Sequence, residues 1–251
     1  MIIFERKYPV NVFDTDITGR LSPGALFNYF QDLAGRHASL LGFGREHLMT
    51  NGFIWMLSRM TIKIERLPVT WDEVTVRTWP RGTDGIFALR DLEMYDSDGK
   101  RLAGASSSWI IVDNVTRKVQ RPDKALSFMN AHFPEQRALD TNAGKVPPLP
   151  SREHKVTRLK AKLDDIDVNL HVNSARYIHW VMNCYEPEFI SSHTPETIEV
   201  NYLSEGHRDD TVNIITENGG ESSASYIHSI VRENDRTELC RLRINWRESE
   251  K

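Results

Sequence analysis

The sequence contains little cysteine and no long apolar run. Its only two cysteines, Cys184 and Cys240, offer neither a disulfide framework nor the spacing of a zinc site. Uncharged stretches are short, and the N-terminal residues lack the basic start and apolar core of a signal peptide. We therefore expect a cytoplasmic protein.

A strong charge of either sign is also missing. The chain of 251 residues carries 32 Lys and Arg against 35 Asp and Glu, for a formal net charge of −3. The basic residues are dispersed, which argues against a nucleic-acid partner, and nothing in the sequence predicts a membrane partner. With 39% hydrophobic residues the chain can build ample core, and its length suits two domains of roughly 100–150 residues each.

The first half predicts one long helix followed by a run of strands. A strand pattern over residues 2 to 13 precedes Ser22-Pro23, a favourable start for a helix that should end near Gly42 and Gly44. Strand patterns follow at Phe53–Ile64, Glu73–Thr78, Phe87–Tyr95 and Arg101–Asp113. Because strands and helices do not alternate, we predict an α+β fold in which an antiparallel sheet wraps one helix.

The second half repeats this order. After a Pro-rich connector, a strand pattern at Val156–Ala161 precedes a helix from Asn173 and strands near 197–203, 210–216, 223–232 and 238–247. Sliding the first half by 151 positions places Asp16 on Asp167, but Thr18 on Asn169 and Arg20 on His171. We predict an N-terminal domain (1–130) that shapes the substrate pocket, a linker (131–153) and a C-terminal domain (154–251) that carries the chemistry.

Polar residues alternate with apolar ones just before the second helix. Asp167, Asn169 and His171 alternate with Val168, Leu170 and Val172, which predicts an extended backbone with the polar side chains on one face and the apolar ones in the core. Asn173 should cap a helix that Pro187 ends, and the free N–H groups at its start favour a carboxylate or an oxyanion. The alternative is that Asp167 and Asn169 are only turn residues and that His171 is a buried histidine bonded to the backbone.

These polar residues form a longer motif, Asp167-x-Asn169-x-His171-Val172-Asn173, with Glu205 at the end of the next predicted strand. The motif resembles the acyl-acyl carrier protein (acyl-ACP) thioesterase family. Similar blocks occur in the first half at Trp55-Met-Leu-Ser-Arg-Met, Pro68-Val-Thr-Trp-Asp-Glu-Val and Ser108-Trp-Ile-Ile-Val-Asp, so the resemblance covers nearly the whole chain.

The resemblance implies a tandem double hotdog fold, in which each half is a long helix wrapped by an antiparallel β-sheet. It implies hydrolysis of the thioester of fatty acyl-ACP in fatty acid biosynthesis, with ACP as partner and without a cofactor or metal. The sequence departs from the family at Gly206, where plant members often carry a cysteine, so a thiolate at that position is impossible. It also departs at Ser174, where a second asparagine is common.

By this resemblance Asp167, Asn169, His171 and Glu205 match the catalytic positions of the family, and the needs of thioester hydrolysis suggest a role for each. Asn169 and the N–H groups at the helix start would hold the carbonyl oxygen, while His171 and Glu205 would manage the proton. Asp167 would either attack the thioester directly or orient a water molecule, and the sequence leaves both routes open. Other hotdog enzymes, such as an acyl-CoA thioesterase, and a non-catalytic acyl-binding module remain alternatives, and homodimer formation is left open.

Two further groups of residues complete the hypotheses. A basic cluster near the motif could receive an acidic carrier protein; its members are Arg152, Lys155, Arg158, Lys160 and Arg176. Large side chains of the first half could line an apolar tunnel that measures the acyl chain; they are Phe27, Phe30, Phe53, Trp55, Met56 and Phe87.

Overall fold

The strands pair into one antiparallel sheet in the computed structural model, which describes residues 2–122, 133–149, 155–218 and 224–249. The strands are β1 (Phe4–Pro9), β2 (Phe53–Ile64), β3 (Glu73–Asp84), β4 (Phe87–Tyr95), β5 (Arg101–Asp113), β6 (Val119–Gln120), β7 (Lys155–Lys160), β8 (His193–Tyr202), β9 (Thr211–Asn218), β10 (Ser225–Arg232) and β11 (Glu238–Glu248). The helices are α1 (Pro23–Leu40), α2 (Arg45–Thr50), α3 (Ser174–Met182) and α4 (Pro187–Ser192).

The sheet has the same strand order in both halves. Its path is β1-β3-β4-β5-β2-β8-β11-β10-β9-β7, with β6 paired to β5, so the first half and the second half mirror each other. The halves join where β2 pairs with β8, from Arg59 opposite Asn201 to Lys63 opposite Thr197. The predicted α+β architecture and its internal repeat are therefore confirmed.

The two long helices pack against each other and bury the core against the sheet. Ser22 caps α1 by accepting the Ala25 N–H, and Pro23 occupies the first turn, as the sequence predicts. A side chain at Gly24 would come within 2.3 Å of the His179 ring on α3, so the helices can approach this closely only because that residue is glycine. Burial lowers the pKa of His179.

Several elements differ from the sequence predictions. The strand predicted over residues 2 to 13 spans only Phe4–Pro9. The short helix α2 was not predicted. α3 ends at Met182, and Pro187 begins α4 instead of ending the preceding helix, because proline fits the first turn of a helix. β3 continues through Pro80 to Asp84, with a register shift between Pro80 and Gly82.

The described part of the connector crosses the sheet. The Ala138 N–H donates to Asp91 on β4 at 2.9 Å, and the Val146 N–H donates to Asn201 on β8 at 2.8 Å. This segment therefore contacts strands of both halves. None of the described helices is both long enough and apolar enough to cross a membrane.

Candidate active site

The segment from Asp167 to His171 is a tight turn, which corrects the predicted extended backbone. The Asp167 N–H donates to His171 O at 2.9 Å and the Leu170 N–H to Asp167 O at 3.0 Å, while Leu170 is left-handed with φ +65°. Val168 and Leu170 are 77% and 76% exposed, so they do not anchor this segment in the core. The Asp167 carboxylate closes the turn by accepting the Asn169 N–H at 2.8 Å, a local bond that competes with strand pairing.

The first half contains the same turn without the amide and imidazole. The Asp16 N–H donates to Arg20 O at 2.8 Å, and the Gly19 N–H donates to Asp16 O at 3.0 Å. Gly19, with φ +75°, holds the left-handed position that Leu170 holds in the second half. The Arg20 guanidinium is bound there by Thr194 Oγ1 at 2.6 Å and Ser249 Oγ at 3.0 Å. The equivalent place in the first turn is thus filled by a structural arginine.

The turn meets the loop after β8 at Glu205 and Gly206. The Val172 N–H donates to Gly206 O at 2.8 Å, and His171 Nε2 lies 3.5 Å from Glu205 Oε2. The two side chains are 28% and 24% exposed, so they are reachable but partly shielded from solvent. A Cβ at Gly206 would lie 2.6 Å from the Tyr177 hydroxyl and 3.0 Å from Val172 Cγ2, so a side chain fits here only if these neighbours move.

Two arginines of the first half complete this polar site, and sequence reasoning missed both. Arg45 Nε donates to Asn169 Oδ1 at 2.7 Å, and Asn169 Nδ2 lies 3.5 Å from Asp167 Oδ2. Arg117 forms an ion pair with Glu205. They lie 124 and 88 positions from their partners, and no local sequence pattern marks them.

Most N–H groups at the start of α3 are already engaged. The Asn173 N–H donates to Asp165 O, the Ala175 N–H to the Asn173 side chain, and the Arg176 N–H to Asn173 O, all at 2.8 to 2.9 Å. The capping role predicted for Asn173 is thereby confirmed. Within the described residues only the Ser174 N–H of this group has no acceptor, and Ser174 lines the adjoining cavity.

A cavity of about 600 Å³ opens beside these polar groups. It crosses the sheet from Tyr202 on β8, past Trp55 on β2 and Trp109 on β5, to Leu89 on β4. The facing wall is a stripe of mostly small residues on α1, namely Gln31, Ala34, Gly35, Ala38 and Ser39. The apolar part of the wall thus comes mainly from the first half.

Two of the six large side chains proposed for the tunnel, Trp55 and Met56, line this cavity. Phe27 and Phe30 are instead fully buried in the main core. Phe53 packs against a small separate cluster, and Phe87 lies under the Arg59 guanidinium at 4.8 Å from the ring centroid. Both cysteines lie outside the lining, and burial raises the pKa of each thiol.

His171, Glu205 and His207 could hold a metal ion, because one ligand atom of each lies within 4.8 Å of the others. Two imidazoles and a carboxylate are a common zinc set. However, Glu205 is already paired with the Arg117 guanidinium, which opposes a second cation at the same carboxylate. We therefore assign no metal to the site.

Comparison with known proteins places both halves in one family. The family models described as acyl-ACP thioesterase N-terminal domain and C-terminal domain match residues 2–126 and 149–248. The chain is 28% identical over 230 residues to the chloroplastic oleoyl-acyl carrier protein thioesterase 2 of Arabidopsis thaliana, covering 85% of this chain and 62% of that protein. It is 25% identical over 260 residues to the chloroplastic palmitoyl-acyl carrier protein thioesterase of Cuphea hookeriana, covering 98% and 62%. It spans about three fifths of the length of these plant relatives.

Solved structures agree with this placement. An acyl-ACP thioesterase from Bacteroides thetaiotaomicron superposes with a TM-score of 0.87 at 26% identity, covering 98% of both chains. The 12:0-ACP thioesterase from Umbellularia californica superposes with a TM-score of 0.88 at 23% identity, covering 99% of this chain and 98% of that one. The second likeness is one of fold, and it matches the double hotdog prediction.

Proposed function

The chain belongs to the acyl-ACP thioesterase family, and from this premise we propose that it hydrolyses the thioester of a fatty acyl-ACP to free fatty acid and holo-ACP. The observation that carries the proposal is the cavity, whose apolar wall leads to the turn that holds Asn169 and His171 and to Glu205 beside it. An acyl chain in this cavity would gain roughly 0.8 kcal/mol for each buried methylene. Its thioester would then lie among the polar groups.

We assign the binding of the thioester carbonyl oxygen to two hydrogen-bond donors, the Asn169 side-chain amide and the Ser174 backbone N–H. Arg45 holds Asn169 Oδ1 and Asp167 lies beside one N–H of Nδ2, so the other N–H of Nδ2 would face the substrate. The Ser174 N–H at the positive end of α3 would supply a second donor. Donors fixed in advance stabilise the charge that develops on this oxygen during attack. Asp167 holds the turn through the Asn169 N–H and thereby positions the amide.

His171 and Glu205 would manage the proton. A water oxygen bonds to the thioester carbon, His171 takes the water proton, and the carbon–sulfur bond then breaks as the sulfur leaves with a proton returned by His171. Glu205 orients the imidazole and places a carboxylate beside the positive charge that His171 gains, while Arg117 holds Glu205 in position. A single turnover in heavy-oxygen water tests for direct attack by Asp167, because isotope found in the Asp167 carboxylate requires an anhydride that water has opened at the aspartyl carbon.

Acidic carrier proteins would be the partner, but the predicted basic cluster supports docking less than its sequence suggests. Arg152 lies outside the described residues. Lys155, Arg158 and Lys160 lie within 3.5 Å of Glu186, Glu233 and Asp209, respectively, and Arg176 lies 3.8 Å from Asp165. Charge reversal at Lys160 and Arg176 should still raise the Michaelis constant for acyl-ACP more than for a pantetheine thioester if this face docks the carrier, whereas equal effects would exclude it.

Thiol release from thioesters of several chain lengths tests the proposal. We expect release from acyl-ACP, whereas release from acyl-CoA alone would favour the acyl-CoA thioesterase alternative. A protein that binds acyl chains without releasing thiol would be a non-catalytic module.

A further inference from the structure

Arg90 is a buried cation in the wall of the otherwise largely apolar cavity. It lies on β4, is only 6% exposed, and lines the cavity together with Leu89 and Trp109. A guanidinium stays charged in proteins and can only donate hydrogen bonds. Each of its buried N–H groups therefore needs a hydrogen-bond acceptor.

The described residues satisfy only one of its nitrogens. Nη1 donates to Thr78 Oγ1 at 3.0 Å and lies 3.2 Å from His37 Nδ1. Among the described residues none accepts a hydrogen bond from Nε or Nη2, and no carboxylate pairs with Arg90. The neighbouring Asp91 is instead paired with Arg81 at 3.0 Å. Donors therefore remain for whatever fills the cavity.

The strand order separates Arg90 from the polar site. Arg90 stands opposite Ser107 on β5, which stands opposite Met60 on β2. β2 then pairs with β8, so Arg90 lies three strand spacings, roughly 14 Å, from the strand that leads to Glu205. Gln31 on α1 also lines the cavity, and its amide has no partner among the described side chains.

A plain hydrocarbon chain would be a poor occupant of this part of the cavity. It would displace water from Nε and Nη2 and offer no acceptor in return, and burying an unpaired charge is costly. An oxygen on the acyl chain would accept from these donors in a charge-assisted hydrogen bond.

We propose that the cavity is adapted to acyl chains that carry an acceptor oxygen, either a hydroxyl or a carboxylate, at a distance from the thioester, and that Arg90 selects them. The inference rests on the proposed thioesterase function and specifies its substrate class. Gln31, which can both donate and accept, would provide a second contact for a hydroxyl.

The test compares acyl-ACP substrates of equal chain length that are unsubstituted, β-hydroxylated, ω-hydroxylated or ω-carboxylated. We expect kcat/KM to be roughly tenfold or more higher for an ω-substituted chain than for the unsubstituted one, the scale of one hydrogen bond to a charged group. Preference for the ω-carboxylate over the ω-hydroxyl would identify the former as the ligand, and the reverse order would identify the latter.

Variants assign the preference to Arg90. In Arg90→Met the advantage of the oxygenated chain should disappear while unsubstituted chains are still hydrolysed, and Arg90→Lys should retain part of it. Arg36→Met, on the exposed side of α1, is the matched control and should keep the wild-type preference. If Arg90→Met does not fold, Gln31→Leu should reduce the preference for the ω-hydroxyl.

Each remaining outcome is decisive. Wild-type protein that hydrolyses unsubstituted chains as well as every ω-substituted one would overturn this inference and leave the proposed function standing. A preference that survives in Arg90→Met would also overturn it. Absence of thiol release from every substrate would instead overturn the proposed function and the inference with it.

Discussion

At the residue scale, Glu205 connects the two sides of the site. One carboxylate oxygen faces His171 Nε2 at 3.5 Å and the other pairs with Arg117. We predict that His171→Ala and Glu205→Ala each lower kcat by about a hundredfold or more, the scale of a lost acid–base group. Steady-state kinetics and a melting curve on each folded variant check this, and near-wild-type turnover in both would remove them from the mechanism.

Cys184→Ser is the control for that experiment. The Cys184 thiol is half-buried against the Trp180 carbonyl at 3.5 Å and lies outside the cavity lining. Burial raises its pKa, which disfavours the reactive thiolate. Activity should be retained, and a folded but inactive Cys184→Ser protein would reopen thiol chemistry.

The sequence identified candidate residues only where the signal was local. Asp167, Asn169, His171 and Glu205 were singled out by a motif and a family resemblance, and the structure brings them together. Arg45 and Arg117 were missed because an arginine whose partner lies 124 or 88 positions away looks, in sequence, like any solvated surface charge. Arg90 was missed for a related reason, since its buried partners His37 and Thr78 lie 53 and 12 positions away in the sequence.

At the element scale, α1 forms one wall of the cavity. A side chain at Gly35 would meet nothing within 4 Å, so Gly35→Leu should fold and fill cavity space. We predict that its optimum moves to shorter acyl chains, while Trp55→Ala moves the optimum to longer ones. Phe30→Ala should instead lower the free energy of unfolding by roughly 3–5 kcal/mol without moving the optimum, because Phe30 is core.

A chain-length panel and urea unfolding on these three variants check the prediction. Gly35→Ala serves as the graded control, with a smaller shift and a helix stabilised by about 1 kcal/mol. An unchanged optimum in Gly35→Leu would mean that the acyl chain lies elsewhere.

The strand β10 contains a buried histidine that should make folding sensitive to acid. His228 is fully buried between the Tyr185 hydroxyl at 2.8 Å and the Thr216 hydroxyl at 3.0 Å, and burial lowers its pKa from 6.5 to about 3. The unfolded chain therefore binds a proton below about pH 6.5 that the folded protein does not bind until about pH 3. Stability from neutral His228 is complete above pH 6.5 and is lost as the pH falls toward 3.

His228→Gln keeps hydrogen-bonding atoms but does not titrate. We predict that the free energy of unfolding falls between about pH 7 and pH 4 in both proteins, and that the wild type loses a few kcal/mol more than the variant over this range. Urea titrations at several pH values measure both slopes. Parallel slopes would show that His228 is not responsible.

The strand and helix predictions succeeded where the hydrophobic period ran over many residues, as in Phe53–Ile64 and Arg101–Asp113. They failed at Asp167–His171, where polar and apolar residues alternate in the sequence but the backbone forms a turn instead of a strand. The hydrogen bond that the Asp167 carboxylate accepts from the Asn169 N–H outweighed an alternation too short to pair with a strand, and Leu170 adopts the left-handed backbone that the turn requires.

At the scale of the whole molecule, the division of labour between the halves is incomplete. The repeat suggested chemistry in one half and substrate shape in the other, yet Arg45 and Arg117 of the first half bind Asn169 and Glu205 of the second. The repeat itself was predictable because duplicated hydrophobic order survives in sequence. Contacts across the β2–β8 junction were not, because they depend on how the halves are joined.

Arg117→Met and Arg45→Met test this arrangement. Each removes a charged hydrogen bond of about 1.5–3 kcal/mol, so kcat should fall by roughly ten- to a hundredfold with little change in KM. Arg77→Met, an exposed first-half arginine paired with Glu5, is the control and should remain fully active. If both site variants keep the kcat of the wild type, the first-half arginines do not contribute to the chemistry, and only second-half residues carry it.

Hydrolysis of fatty acyl-ACP by a site shared between the two halves can be measured as the rate of thiol release. The wild type, Glu205→Ala and Arg117→Met are compared side by side across a range of acyl chain lengths. We expect the wild type to release holo-ACP and an equal amount of free fatty acid, with both variants slower at every chain length. No thiol release by the wild type at any chain length, or equal rates in all three proteins, would contradict it.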